Sequence, residues 1–231
     1  MPVKLGSLTA FDDVSGLSAI IPLGSLEQHC RLPVGLDCMI AERLSELAAS
    51  RAEGILGRSP AYAIAPPICY GFSPEWAGVR GTISLRAHTI IALLEDVIEG
   101  LARWGFDPII ILNAHGGNTP VARAAAVESS RLSGARVALI DYWRASGLQL
   151  GHACRVEESI ALDLGLIESP PSREGCAEAH SLENAVLEGP LPREPAWMPG
   201  GEPAPLDSII EALARKLVEV STAPKDRYIL G

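Results

Sequence analysis

The sequence predicts an α/β fold, a three-layer α/β/α sandwich around a mostly parallel sheet. Short, nearly continuous apolar runs such as Pro108-Ile109-Ile110-Ile111-Leu112-Asn113 suit strands buried on both faces. Stretches with apolar residues at helical spacing alternate with these runs, and that alternation implies parallel strands joined by helical crossovers. The chain has 231 residues, 48% apolar and 20% charged, which suits one large domain or two small ones. No repeat, low-complexity tract or linker divides it, so residues 1–231 read as a single domain.

Leu17-Ser18-Ala19-Ile20-Ile21-Pro22-Leu23 is the first main strand, closed by Gly24-Ser25. Ile40, Ala41, Leu44, Leu47 and Ala48 then form one face of a helix from Cys38 to Ser50. Ala61 to Ile68 is the second strand, stopped by Pro66-Pro67. Gly81-Thr82-Ile83-Ser84-Leu85 is a short third. Thr89 to Trp104 is amphipathic and ends near Gly105, a helix followed by its stop signal. Pro108 to Asn113 is the fourth strand. Thr119-Pro120 opens a helix through about Leu132, with proline at a tolerated first-turn position. Ala135 to Tyr142 is the fifth strand, Glu157 to Leu164 starts another helix, and Leu206 to Val220 is the last. Between them, Glu168 to Pro205 holds eight of the 18 prolines and loses periodicity. It reads as a long excursion that covers the site or makes a subunit contact, with Trp197 and the Glu178–His180–Glu183 cluster as its contact candidates.

Composition excludes several classes. Net charge is −9 and no basic run could follow a phosphate backbone, so no nucleic-acid partner is expected. No apolar run reaches the roughly 20 residues of a membrane span, and Met1 to Phe11 does not read as a signal peptide. Five widely spaced cysteines with no CxxC pair read as mostly reduced thiols of a cytoplasmic protein.

Three stretches carry the chemistry: Gly24-Ser25-Leu26-Glu27-Gln28-His29 with Asp37, Asn113-Ala114-His115-Gly116-Gly117-Asn118, and His152-Ala153-Cys154-Arg155-Val156-Glu157. They hold three of the five histidines and three carboxylates. Imidazole with carboxylate suits zinc, manganese or iron, and a divalent ion supplies hydroxide near neutral pH. Each stretch follows an apolar strand, and open α/β sheets gather ligands beyond the carboxyl ends of their strands. The three should therefore meet at one edge of the sheet. Glu27 and His29, two residues apart, point the same way in an extended segment. Asp37 is either a two-oxygen ligand where the chain returns or merely the cap of the following helix. Gly116-Gly117 removes side chains and lets backbone approach a ligand. His88 and His180 read as surface or structural residues.

The joint pattern resembles a known family. Pro22-Leu23-Gly24-Ser25-Leu26-Glu27-Gln28-His29, Gly71-Phe72-Ser73-Pro74-Glu75, Gly81-Thr82-Ile83-Ser84-Leu85, Asn113-Ala114-His115-Gly116-Gly117-Asn118 and His152-Ala153-x-x-x-Glu157-x-Ser159 occur in that order. From about Ile20 to Leu164 the chain resembles the creatininase (creatinine amidohydrolase) family. The Gly116-Gly117 form resembles the branch with formylaminopyrimidine deformylases and the mycofactocin precursor peptidase, rather than the creatinine-hydrolysing branch.

The resemblance implies an α/β/α sandwich with two divalent metal ions (Zn, Mn or Fe) that hydrolyses an amide-type C–N bond. It implies Glu27, His29, Asp37, His115 and Glu157 as metal ligands, with Asp37 bridging. His152 would be the catalytic residue that moves protons. One ion would sit with Glu27, Asp37 and His115, the other with His29, Asp37 and Glu157. A small-molecule amide or formamide is the implied substrate, and a homo-oligomer, often a hexamer, the implied assembly. Three departures concern the pocket. The loop between His29 and Asp37 is one residue shorter than usual and lacks a second histidine. His152-Ala153-Cys154 stands for a usual His-Ala-Gly, and Ser73-Pro74-Glu75-Trp76 for a usual Ser-Pro-Glu-His. The shortened loop, with Cys30-Arg31 in it, keeps open an alternative from another class, a family member without turnover that acts as a binding or scaffold subunit.

Overall fold

The structure, a computed structural model, describes residues 1–172 and 200–224. Within them, five strands form one fully parallel sheet in the order β1-β3-β2-β4-β5. The strands are β1 Val3–Lys4, β2 Ser18–Leu23, β3 Tyr62–Ile64, β4 Ile109–Asn113 and β5 Val137–Asp141. The helices are α1 Leu36–Leu56, α2 Ala87–Trp104, α3 Asn118–Ser133, α4 Tyr142–Ala145, α5 Arg155–Asp163 and α6 Leu206–Thr222.

Every residue of β2 and β4 is buried, as continuous apolar runs require. Alternation along the strands divides the core in two. Ile20, Ile64, Ile110, Leu112 and Ile140 pack beneath α1, α5 and α6. Ala19, Ile21, Leu23, Ile109 and Ile111 pack on the opposite face beneath α2 and α3. This is the three-layer α/β/α arrangement that the sequence predicts. From β2 the chain crosses to β3 on one side, then to β4 and β5 on the other. The order reverses between β2 and β4, and a crevice opens there beyond the strand ends.

Several expectations change. Gly81–Leu85 is not a strand; its backbone bonds to loops instead, Ile83 N–H donating to Leu26 O at 2.9 Å and Leu85 N–H to Gly71 O at 2.8 Å. The 61–68 strand shortens to Tyr62–Ile64, because Pro66 and Pro67 cannot donate to a ladder. The edge strand β1 and the short helix α4 are additions. The Glu178–His180–Glu183 cluster and Trp197 lie outside the described residues.

The cysteines need a correction. Cys38 and Cys69 form a disulfide, Cα atoms 5.0 Å apart, and Cys30 is disulfide-bonded as well. Cys154 is a free, buried thiol. Partners 31 residues apart in sequence meet because β3 runs beside β2 and α1 starts at the end of β2. No spacing rule reveals that juxtaposition, and the reading of mostly reduced thiols fails with it. No helix among the described residues is long and apolar enough to cross a membrane.

Candidate metal centre

Glu27 and His29 lie on the loop leaving β2, Asp37 in the first turn of α1, and His115 two residues beyond β4. His152 lies on the approach to α5 and Glu157 in its first turn, both after β5. All six are buried, none more than 5% exposed. The three stretches singled out in the sequence thus converge at the switch point.

Glycine makes the convergence possible. A Cβ on Gly24 would lie 2.4 Å from Cys38 Cα and 2.6 Å from the carbonyl carbon of Asp37. Only a residue without a side chain lets the start of α1 come this close to the end of β2. Asp37 does not cap α1; Gly35 occupies that position, and the Asp37 carboxylate turns inward. Its Oδ1 lies 3.2 Å from His29 Nε2, its Oδ2 lies 3.2 Å from His115 Nδ1, and Ser25 Oγ donates to Oδ2 at 2.7 Å. One carboxylate therefore spans two histidines from separate loops.

Glu27 Oε1 lies 3.3 Å from both His115 Nδ1 and His152 Nδ1. Glu157 divides its oxygens: Oε2 accepts the Cys154 N–H at 3.0 Å and closes the capping box of α5, while Oε1 lies 3.7 Å from His29 Nε2. Three groups of side chains bring their ligand atoms close enough to hold an ion: Glu27, Asp37 and His115; His29, Asp37 and Glu157; and Glu27, His29 and His152. The first two are the sets the resemblance implies, sharing Asp37. The third brings His152 into range as well.

Outer contacts aim these groups. His115 Nε2 lies 3.0 Å from Phe72 O and 3.1 Å from Ser73 Oγ, which leaves Nδ1 facing the carboxylates. His29 Nδ1 bonds Glu27 O at 3.1 Å and leaves Nε2 facing inward. Cys30 N–H donates to Gln28 Oε1, so the Gln28 amide nitrogen donates to His152 Nε2, at 2.8 Å. His152 then carries its proton on Nδ1, toward Glu27. Asn113 and Asn118 brace the Gly-Gly turn: Asn113 reaches Asp141 and His115 O, and Asn118 reaches Gly24 O and Phe72 N–H. Cys30 and Ala153, each directly after a site histidine, adopt left-handed backbone (φ 58° and 47°) that disfavours a side chain.

Three buried carboxylates this close together demand positive charge. Burial pushes Glu27 up, but His115 and His152 outweigh it and bring it down to about 2. Burial likewise opposes the charged form of Asp37, and His29 and His115 reverse it. Burial would lower His29 and His115, yet the facing carboxylates raise both well above the ordinary histidine value. Without cations, protons on these histidines balance the acids. Two inner atoms nevertheless stay without a hydrogen-bond partner, Glu27 Oε2 and His29 Nε2. Buried polar atoms are rarely left so, and cations bound in the first two groups would give each a partner. The nitrogen and oxygen donor set fits a borderline divalent ion such as zinc, manganese or iron.

The centre forms the floor of a cavity of about 570 Å³ whose walls include Glu75, Trp76, Gly116, Gly117, Arg123, Trp143 and Arg144. Of these walls, Arg123, Trp143 and Arg144 stand outside the motifs of the sequence, and the aiming roles of Ser25 and Gln28 are not legible there either. Gln28 and Glu75 stand within those motifs, but nothing in their spacing reveals what they face. Gly117 makes room for the protein itself rather than for a ligand, since a Cβ there would lie 2.2 Å from Phe72 O and 2.5 Å from His115 Nε2. Gly116 faces open space.

Fold and centre together describe a metal-binding α/β protein. The family model for creatininase, described as creatinine amidohydrolase, matches residues 9–179, and the chain belongs to this family of hydrolases. A mycofactocin precursor peptide peptidase from Mycobacterium ulcerans (strain Agy99) is 37% identical over 151 residues, 64% of this chain. The chain matches only 58% of that relative's length. A putative creatinine amidohydrolase from Bacteroides fragilis NCTC 9343 has the same fold, with a TM-score of 0.69 at 22% identity over 96% of this chain and 97% of the other. A manganese creatininase superposes with a TM-score of 0.68 at 19% identity, covering 95% and 97% of the two chains.

Proposed function

We propose that the protein is a two-metal amidohydrolase that cleaves an amide or formamide C–N bond of a small molecule or short peptide. The observation that carries this reading is the pair of unpartnered atoms, Glu27 Oε2 and His29 Nε2, inside a buried acidic cluster that opens on a substrate-sized cavity. Glu27, Asp37 and His115 would hold one ion, and His29, Asp37 and Glu157 the other. Bound divalent ions would supply nucleophilic hydroxide near neutral pH and polarise a carbonyl.

The side chains do the rest. As the C–N bond breaks, the leaving nitrogen needs a proton, and His152 holds one on Nδ1 at the inner wall. Gln28 keeps that tautomer by donating to Nε2, and Trp76 covers the imidazole face. Trp76 and Trp143 in the walls exclude water from the reacting bond. Arg123 and Arg144 at the cavity suit a carboxylate on the substrate, a pattern that supports short peptides among the candidates. The family resemblance also supports a homo-oligomeric assembly, which light scattering on the purified protein tests.

Elemental analysis with a hydrolysis screen over formamides, lactams and short peptides tests the activity. About two ions per chain and turnover of one class are expected. Metal with no turnover of any class would favour the binding-subunit alternative.

A further inference from the structure

We infer that Glu75 determines specificity by accepting an N–H from the substrate, a protonated amine above all. The inference rests on the proposed hydrolase reading and adds the chemical character of the group beside the scissile bond.

Glu75 lies in the short 3-10 turn Pro74–Trp76 and lines the same cavity as the metal centre. It belongs to none of the three groups able to hold an ion. Among the described residues it makes no salt bridge, and the hydrogen bond it accepts is from its own backbone N–H. A half-buried carboxylate with no side-chain donor among the described residues within bonding distance, on the wall of a substrate-sized cavity, is a recognition group awaiting a donor.

Its position is set rather than incidental. Phe72 N–H donates to Asn118 Oδ1 and Ser73 N–H to Ser84 Oγ, while Phe72 O and Ser73 Oγ contact His115. The loop that carries Glu75 is therefore fastened to the centre itself. A Cβ at Gly117 would come within 3.3 Å of Glu75 Oε1, so the glycine leaves that oxygen open, and Gly116 beside it meets nothing within 4 Å. Trp76, the next residue, stacks on His152, so the turn places one acceptor and the proton-bearing imidazole on the same side of the cavity. A substrate reaching His152 with its leaving nitrogen has its neighbouring N–H groups facing Glu75.

The test uses the metal-loaded protein and its tryptophan fluorescence, titrated with benzylamine and, separately, with benzyl methyl ether, which has no N–H, for wild type, Glu75→Gln and Glu75→Ala. Wild type should bind the protonated amine more tightly, and both variants should weaken it about tenfold or more while leaving the ether probe and the metal content unchanged. Equal weakening of both probes would mean a packing role, loss of metal a ligand role, and unchanged or absent amine binding no role; each overturns the inference. Because the readout is binding, failure of the hydrolase reading shows separately, as absent turnover by wild type.

Discussion

The indole of Trp76 stacks on the imidazole of His152, ring centroids 4.5 Å apart and planes inclined by 27°. A residue from the loop after β3 thus holds the face of a residue from the approach to α5. With Gln28 on Nε2 and Glu27 on Nδ1, His152 is constrained on its face and both nitrogens.

His152→Gln should therefore keep both metals and lower kcat by about 10²–10⁴-fold, most strongly for substrates with poor leaving amines. Trp76→Ala should reproduce part of that loss, about tenfold, because it frees the ring without removing the proton carrier. Steady-state kinetics beside elemental analysis checks both. Collapse of metal content in His152→Gln would instead make His152 a ligand, in the third of the three candidate groups.

Asp37→Ala should lose both ions together, since its two oxygens face the two halves of the centre. The remaining ligands would leave each proposed ion with two partners. Full metal retention, read by inductively coupled plasma analysis after dialysis, would remove Asp37 from the bridging position. Metal uptake by wild type should also release protons, because His29 and His115 hold theirs well above the ordinary histidine range and must give them up to ligate. Affinity should fall as pH falls, and calorimetry in buffers of different ionisation enthalpy reads the proton count.

Gly117→Ala and Gly116→Ala should differ sharply although the residues are adjacent. A methyl at Gly117 must displace Phe72 O or the His115 ring, whereas one at Gly116 meets open space. The first should weaken metal binding about 10–100-fold through the lost support of His115, and the second should leave it unchanged. Equal effects would show that the turn matters for conformation rather than contact.

Glu53 supplies an acid-labile tie far from the centre. It is buried near the end of α1, where it accepts hydrogen bonds from Ala61 N–H and Ser59 Oγ at 2.8 Å and pairs with the Met1 amino group at 3.0 Å. Burial opposes its charge, but these partners win and hold its pKa below the ordinary 4.5. A depressed carboxylate contributes stability that is present above the unfolded value and lost as pH falls through the folded one. Thermal melts should fall on acidification below about pH 4.5. Glu53→Gln should cost roughly 1–3 kcal/mol at neutral pH and flatten that acid limb. An unchanged melt at neutral pH would refute the tie.

The layers and the reacting edge are legible in the pattern of residues along the chain. Ile109-Ile110-Ile111-Leu112 has no polar face, so it can only be a strand covered on both sides, and the helical spacing of Ile40, Leu44 and Ala48 supplies one cover. Since parallel strands present their carboxyl ends together, Glu27, His115 and His152 are legible as neighbours in the sequence alone. Tertiary structure alone decided which way Asp37 turns, what fills the space beside Gly117, that Cys38 meets Cys69, and that Glu75, Gln28, Trp76 and the two cavity arginines face the site. The physical reason is range. Strand and helix patterns arise from a residue's nearest chain neighbours, whereas each of these contacts joins loops from different strands, whose separation is set by how the whole sheet is ordered. Gly81–Leu85 shows the same limit from the other side. Its local pattern suits a strand, but no sheet partner lies beside it, so its backbone bonds to the loops that carry Leu26 and Gly71.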